Sequence, residues 1–220
     1  MVSGQTSRRG QIVRMAENTA PEVTDPEISE LQQEINRLRR ELRLLRMANM
    51  ELERVAIMDT LTPLYNRRYF IGALNERIVR RSRYDTRFSV LFVDINKLKY
   101  INDVHGHAAG DFALVHAAQV LASQIRQTDV AARMGGDEFA VILEEVDGEA
   151  GRAKADQLEQ ALRESVCTYG DAVLPISASI GLTFLEPHDR EEAVIERADA
   201  DMYARKRSWH DGAAVGASKD

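Results

Sequence analysis

The rhythm of apolar and polar positions changes twice along the chain. Residues 1–24 carry Ser, Gly, Gln, Thr and Glu with few large apolar groups, and no helical or strand period runs through them. Such a stretch has too little apolar surface to offset the entropy of ordering it, so it reads as a flexible tail. From Asp25-Pro26 the pattern becomes regular. Asp25 suits a helix N-cap, and Pro26 suits the first helical position, where its missing N–H is no loss. Apolar residues then alternate at spacings of three and four: Ile28, Leu31, Ile35, Leu38, Leu42 and Leu45, with Asn49 and Leu52 completing the series. The spacing predicts a helix over 27–56, about 45 Å long. With Ile28 at heptad position a, every d position is Leu, and the last a position is Asn49. That combination favours two parallel strands, and one buried Asn fixes their register. Glu34 and Glu41 fall at g, while Arg39 and Arg46 fall at e, where a parallel partner meets them with opposite charge. An amphipathic helix packed on its own domain would carry a similar stripe. Four consistent heptads with matched flanking charges favour a homodimeric stalk over residues 25–56.

From Met58 the pattern is that of a mixed α/β domain over 57–207, followed by a short tail over 208–220. Tyr69, Phe70, Leu74, Ile78 and Val79 supply the stripe of a helix over 67–83. Residues 88–93 form an almost continuous apolar run ending in Asp94, as expected of a central strand buried on both faces. Leu114, Val115, Ala118, Leu121 and Ile125 mark a helix over 111–127. Two short strands, 130–134 and 139–143, flank Gly135-Gly136-Asp137-Glu138, a hairpin signal because paired glycines allow a tight reversal. A helix over 149–166, a strand pair that includes 176–184 and a last helix over 190–207 complete the reading. Strands and helices alternate without strict βαβ repetition. This predicts an α+β fold with a mixed, largely antiparallel sheet flanked by helices.

Composition narrows the function. The chain has 220 residues, 29 Lys+Arg against 35 Asp+Glu, a net charge of −6 and 44% hydrophobic residues. That excludes a wholly disordered chain, and the acidic balance argues against coating DNA or RNA, where phosphate neutralisation dominates. No apolar run approaches the ~20 residues of a membrane span. The opening Met1-Val2-Ser3-Gly4-Gln5 lacks a secretory core, and the single cysteine, Cys167, fits a reducing cytoplasm.

Two acidic points stand on apolar strands: Asp94 at one strand end, and Asp137-Glu138 in the hairpin turn. If the strands are neighbours, these carboxylates converge at one sheet edge, as hard oxygen ligands for Mg²⁺ or Mn²⁺ carrying a nucleotide triphosphate. On spacing alone, a strand-end cap and a glycine turn explain the same residues.

The motifs around them are more specific. Residues 133–139 read Arg-Met-Gly-Gly-Asp-Glu-Phe, with the GGDEF signature intact. Residues 59–68 read Asp-Thr-Leu-Thr-Pro-Leu-Tyr-Asn-Arg-Arg, and residues 94–103 read Asp-Ile-Asn-Lys-Leu-Lys-Tyr-Ile-Asn-Asp, followed by Gly106-His107 and Gly110-Asp111. Ala198-Asp199, Tyr203 and Lys206 close the series. Over about residues 57–207 the chain resembles the GGDEF-domain diguanylate cyclases, palm-type enzymes that condense two GTP into cyclic di-GMP and two pyrophosphates. The resemblance implies Asp94 and Asp137 as metal carboxylates with the Ile95 carbonyl as a further ligand, holding two Mg²⁺ or Mn²⁺ ions per site. It implies Asp137 beside the attacking ribose 3′-hydroxyl, Glu138 as the neighbouring acid, and Lys99 and Lys206 as counter-charges for phosphate. Asn102 and Asp111 would read the guanine edge, with His107 nearby, and Gly135 and Gly136 would let the backbone approach the nucleotide. Helix caps, solvated lysines and a structural turn histidine are the alternatives for Asn102, Asp111, Lys99, Lys206 and His107.

Arg126-Gln127-Thr128-Asp129 has the RxxD form, five residues before Gly135, that the resemblance implies for an inhibitory cyclic di-GMP site. A local Arg–Asp pair ending a helix is the alternative. The chain also departs from the pattern. Asn96 and Leu98 stand where Asp and Phe are often found, and Trp209-His210-Asp211 replaces the usual Gly-Arg-Asn after Lys206. Against the family pattern a basic phosphate contact is missing there, and the expected consequence is either weaker affinity or a shift of the work to Arg205 or Arg207. No recognisable sensor domain precedes the stalk, and the N-terminal region is the expected seat of any protein partner. A catalytically inactive cyclic di-GMP receptor, or a GTP-binding scaffold, is the rival reading.

Overall fold

The computed structural model describes residues 25–84, 86–146 and 148–216, with side chains given to Lys206 apart from Asp25, Glu27 and Arg54. The tail expected over 1–24 lies outside the described residues. The chain divides into two units that part between Met50 and Glu51. Helix α1, Asp25–Ile57, contributes to both. Its seam residues Leu31, Leu38 and Leu45 are 59%, 50% and 63% exposed. In the single chain this leucine stripe is unburied. Glu34 makes two 2.8 Å hydrogen bonds with Arg37 one turn on, so in the single chain it is engaged along its own helix and not held out toward a partner's Arg39.

In the second unit a five-stranded sheet has the order β1 (Tyr65–Asn66), β3 (Val130–Gly135), β4 (Glu138–Glu144), β2 (Phe88–Ile95) and β7 (Ala178–Phe184). The β1–β3 pair is parallel and the others antiparallel. Strand β2 lies inside, buried on both faces as its apolar run predicts. Leu91, Val93 and Ile95 pack with α4 (His107–Ser123) and α5 (Gly148–Glu164) on one face. Val90 and Phe92 pack with α2 (Arg67–Tyr84) and α6 (Glu191–Gly216) on the other.

Four elements differ from the sequence reading. Helix α3, Leu98–His105, was not anticipated, because only Ile101 is buried on it and no apolar stripe announces it. Helix α4 begins at His107, four residues before Asp111, since Ala108, Ala109 and Gly110 continue the helix where they read as loop. The 176–184 strand starts at Ala178 and pairs with β2, while a separate hairpin, β5 (Cys167–Tyr169) with β6 (Ala172–Leu174), precedes it. Helix α6 continues to Gly216, through what was expected to be a tail, with no proline to stop it.

Strand β7 is an edge strand, and its outward N–H groups are capped by carboxylates. Ile180 N–H donates to Glu159 Oε1 at 3.0 Å, and Leu182 N–H donates to Asp201 Oδ2 at 2.8 Å. Arg152 and Arg205 hold Asp201 in place from α5 and α6. The clamp closes the edge to strand addition. Asp201→Ala orphans a buried N–H and should destabilise the domain by about 1–3 kcal/mol in urea denaturation. Asp201→Asn, which keeps the acceptor, should lose less; equal losses would make the ion pairs, and not the cap, the important term.

Candidate active site

The last residues of β2 and the first of β4 meet at one end of the sheet. Asp94 is the register partner of Glu138 on one side and of Ser179 on the other. Opposed residues of antiparallel strands point to the same face, and Asp94 alternates with Val93 and Ile95, so both acids lie on the α2/α6 face. The turn is tied to β2 directly: Ile95 N–H donates to the Asp137 carbonyl at 3.0 Å. Gly135 (φ 147°) and Gly136 (φ 53°) make the reversal in backbone conformations that side chains disfavour.

Arg133 fixes this turn. Its guanidinium donates to the Gly136 carbonyl at 2.7 and 3.1 Å and meets Asp59 at 3.4 Å. Asp59 accepts from the Thr62 N–H and hydroxyl, both at 2.8 Å. Burial alone would raise the Asp59 carboxyl, but the Thr62 hydrogen bonds and then Arg133 hold it below the ordinary carboxylate range.

Negative charge is in excess here. Burial, and then repulsion from Asp137, Asp94 and Asp199, push Glu138 above the ordinary carboxylate range, with Arg67 opposing weakly. Lys206 Nζ lies 2.5 Å from Asp94 Oδ1, so an ammonium already sits as counter-ion at the strand end. Among the described residues no three His, Cys, Asp or Glu side chains are grouped closely enough to enclose an ion unaided. The donor set nevertheless suits a hard divalent cation: carboxylates that repel one another, an adjacent backbone carbonyl at Ile95, and a held cation in the form of Lys206.

The remaining expected residues lie on the two helices that follow β2. Lys99 is in the first turn of α3 and exposed; His107 opens α4 and is exposed. Asn102 is half-buried on α3, and its side chain rests over Gly110 so closely that a Cβ there would fall 1.8 Å from Asn102 Oδ1. Asp111 is exposed one turn into α4, so the helix-cap alternative fails for it. Lys99, His107 and Asp111 make no hydrogen bond or ion pair with the acids among the described residues.

Arg126 and Asp129 stand apart, beyond the C-terminal end of α4. Asp129 accepts the Arg126 backbone N–H at 2.8 Å and the Glu144 N–H at 3.1 Å, so it shapes the turn and does not pair with the Arg126 guanidinium. The exposed Arg126 side chain lines a cleft of about 310 Å³ with Asp129, Leu143, Lys154 and Gln157. Arg205, expected as a replacement phosphate contact, is engaged with Asp156, Glu159 and Asp201. Arg207 and the Trp209-His210-Asp211 side chains lie outside the described ones. Sequence reasoning assigned no role to Arg133, Asp59, Arg67 or Asp199. Only the location of Arg133, two residues before the glycine pair, could have pointed to it.

The chain matches the family model described as "Diguanylate cyclase, GGDEF domain" over residues 56–211. It is 35% identical over 197 residues to diguanylate cyclase TpbB of Pseudomonas aeruginosa, covering 87% of this chain and 45% of that protein. To diguanylate cyclase DgcP of the same organism it is 38% identical over 156 residues, covering 71% and 23%. The chain thus spans less than half the length of these relatives. Among solved structures, the coiled coil and GGDEF domain of DgcB from Caulobacter crescentus in complex with c-di-GMP aligns with a TM-score of 0.74 at 26% identity, over 81% of this chain and 95% of that one. Diguanylate cyclase SiaD in complex with its activator SiaC from Pseudomonas aeruginosa aligns with a TM-score of 0.69 at 28% identity, over 83% and 70%. The fold, a mixed sheet flanked by helices behind a long N-terminal helix, is that of these GGDEF structures. The chain belongs to the GGDEF-domain family of diguanylate cyclases.

A carboxyl raised on folding holds its proton more tightly in the folded than in the unfolded state, so stability falls as pH rises through its titration range. Glu138→Gln should therefore melt higher than the wild type at neutral pH in a chelator. The gap should close below the ordinary carboxylate range, and narrow at neutral pH when Mg²⁺ is added. Melting that is unchanged at every pH would mean the acids do not strain the fold.

Proposed function

We propose that the protein is a diguanylate cyclase that condenses two GTP into cyclic di-GMP and two pyrophosphates, each domain of a two-fold homodimer holding one nucleotide. The observation that carries this reading is the register pair of Asp94 with Glu138, with Asp137 tied to β2 beside them, in a chain of this family. Asp94, Asp137 and the Ile95 carbonyl would hold two Mg²⁺ or Mn²⁺ ions, with Glu138 the further acid. Bound there, such ions supply charge neutralisation for the departing pyrophosphate and acidity for the attacking hydroxyl. Asp137 takes the proton of the ribose 3′-hydroxyl, directly or through that site. The 3′-oxygen then bonds to the α-phosphorus of the facing nucleotide as the bond to pyrophosphate breaks. Lys206 leaves Asp94 for the incoming phosphates, and Lys99 adds a second positive charge. Asn102 and Asp111 pair with the guanine edge, with His107 at the mouth, and adenine would leave them unsatisfied. Gly110 lets Asn102 sit low enough to do so, and Gly135 and Gly136 leave room for the nucleotide beside the turn.

The exposed leucine seam of α1 favours a dimer through residues 25–56, which raises the local concentration of the second domain to the order of mM. Any protein partner is best sought in the N-terminal region; SiaD was solved with its activator SiaC. GTP and a lone buried thiol at Cys167 suit the cytoplasm. Incubation with GTP and Mg²⁺ should yield cyclic di-GMP, and ATP should not replace GTP. Leu38→Pro with Leu45→Pro should collapse turnover per domain at sub-micromolar enzyme while GTP still binds. Full activity in a proven monomer would remove the dimer from the mechanism, and GTP binding without product would favour the scaffold or receptor.

Product feedback at Arg126 and Asp129 belongs to the same proposal, supported by the Arg126 guanidinium, which lines the cleft and has no partner among the described residues. Arg126→Ala should leave GTP turnover intact and relieve inhibition by cyclic di-GMP, read from initial rates with added product. Undiminished inhibition would remove the assignment.

A further inference from the structure

Helix α1 carries a second apolar surface that the heptad seam does not use. With Ile28 at a, the outer positions b, c and f are polar along the first half of the helix, where they read Ser29, Glu30, Gln33, Asn36 and Arg37. Farther on they turn apolar: Leu44 at c, Met47 at f and Met50 at b, before Glu51 restores a polar residue. These three follow one another at a spacing of three, so they form one ridge about 9 Å long on the side of α1 away from Leu38, Leu42 and Leu45. They are 67%, 66% and 67% exposed, and pairing through a and d would leave them so.

The charge beside the ridge has one sign. Five arginines stand against Glu41 alone between Arg37 and Arg46, in a chain whose net charge is −6. Arg37 is held by Glu34, and Arg39 and Arg46 flank the seam. Arg40 at f and Arg43 at b lie on the outer face, lead directly into the ridge, and make no hydrogen bond or ion pair among the described residues. No acid lies three or four residues from either of them. At a spacing of three they repel each other, and an acidic partner would relieve that repulsion.

We propose that residues 40–50 on the outer face of α1 dock an acidic amphipathic helix of a partner protein, whose apolar stripe covers Leu44, Met47 and Met50 while its carboxylates meet Arg40 and Arg43. Charge selects this occupant. Residues 1–24 hold three arginines against two glutamates and cannot supply the carboxylates, and a further copy of α1 would bring the same arginines. Nucleic acid would answer the arginines and leave the ridge in water. A bilayer is excluded by symmetry: a parallel pair of α1 helices points its two ridges in opposite directions, and a flat surface reaches only one. Two helices, one on each side, satisfy both. The inference rests on the homodimer reading of α1, which turns the leucines inward and leaves the outer face for a partner.

The test is fluorescence anisotropy of the full chain with three probes. One is a labelled model helix of about three heptads with a leucine stripe and Glu and Ala elsewhere. The second has Lys in place of each Glu, and the third is phosphatidylserine vesicles. The wild type should bind the Glu peptide in preference to the Lys peptide. Met47→Gln with Met50→Gln, which keeps good helix formers and the seam, should weaken the Glu peptide about tenfold. Arg40→Glu with Arg43→Glu should reverse the preference toward the Lys peptide. Unchanged affinity in the Met47→Gln, Met50→Gln variant overturns the proposal. So does a wild type that binds neither peptide, or one that binds the vesicles through Met47 and Met50 and not the peptide. Light scattering separates the two readings. A monomer that binds the Glu peptide through Met47 and Met50 would keep the docking ridge and remove the stalk. A dimer that makes cyclic di-GMP and ignores the peptide would do the reverse.

Discussion

The register of β2 against β4 is the constraint on which the site depends. Asp94 faces Glu138 because seven successive pairs, from Phe88 with Glu144 onward, align the two strands. A slip of one residue would turn Asp94 into the face where Leu91, Val93 and Ile95 pack against α4 and α5. It would also carry Val90 and Phe92 out of the α2/α6 core. The penalty for burying a carboxylate among apolar side chains, together with the lost packing, keeps the register in place. The acids themselves contribute nothing to that choice, since they repel. Apolar burial over the length of the strands fixes the geometry of the polar end.

That arrangement gathers like charges, and the surrounding elements answer them from several directions. Lys206 reaches Asp94 from α6, and Arg67 acts on Glu138 from the start of α2. Arg133 works differently, holding the Gly136 carbonyl from the preceding strand and bracing itself on Asp59. The turn is therefore rigid in its backbone while its side chains remain under-neutralised. On the proposed reading, a rigid acidic cradle whose counter-ion is a lysine is suited to take divalent cations in that lysine's place, because little reorganisation is needed when they arrive.

Elements with strong periodicity were legible in the sequence, and those held by polar contacts were not. The β2 run and the glycine hairpin were readable because burial on both faces leaves an uninterrupted apolar string. The heptads of α1 were readable because four repeats agree. Helix α3 escaped notice because it buries only Ile101, and its start is set by Lys97 in a left-handed conformation (φ 59°) that no pattern announces. The β7 clamp joins Glu159, Asp201 and Arg205 across the edge of the sheet, a long-range arrangement with no local signature. The convergence of Asp94 with Asp137-Glu138 was conditional on strand adjacency, and the β2–β4 pairing meets that condition. The engagement of Arg205 with acids of α5 and α6 was not legible either, since it is a fact of packing and not of spacing.

The connection that leaves α1 has its own consequence for the proposed chemistry. Asn66 Nδ2 donates to the Ala56 carbonyl at 3.0 Å and the Met58 carbonyl at 3.2 Å, while its Oδ1 caps the N–H of Tyr69 at the start of α2. Asp59 N–H bonds the Leu64 carbonyl, and the Asp59 carboxylate meets the same arginine that grips Gly136. The backbone between Ala56 and Arg67 is thus stitched at both ends and has little freedom to absorb a movement. On the two-fold reading, each domain supplies a nucleotide that the other must attack, so the distance between domains matters as much as the acids within one. On that reading, the route by which a displacement of the last turn of α1 would reach the glycine turn runs through Asn66, Asp59 and Arg133, which bond Ala56, Met58 and Gly136.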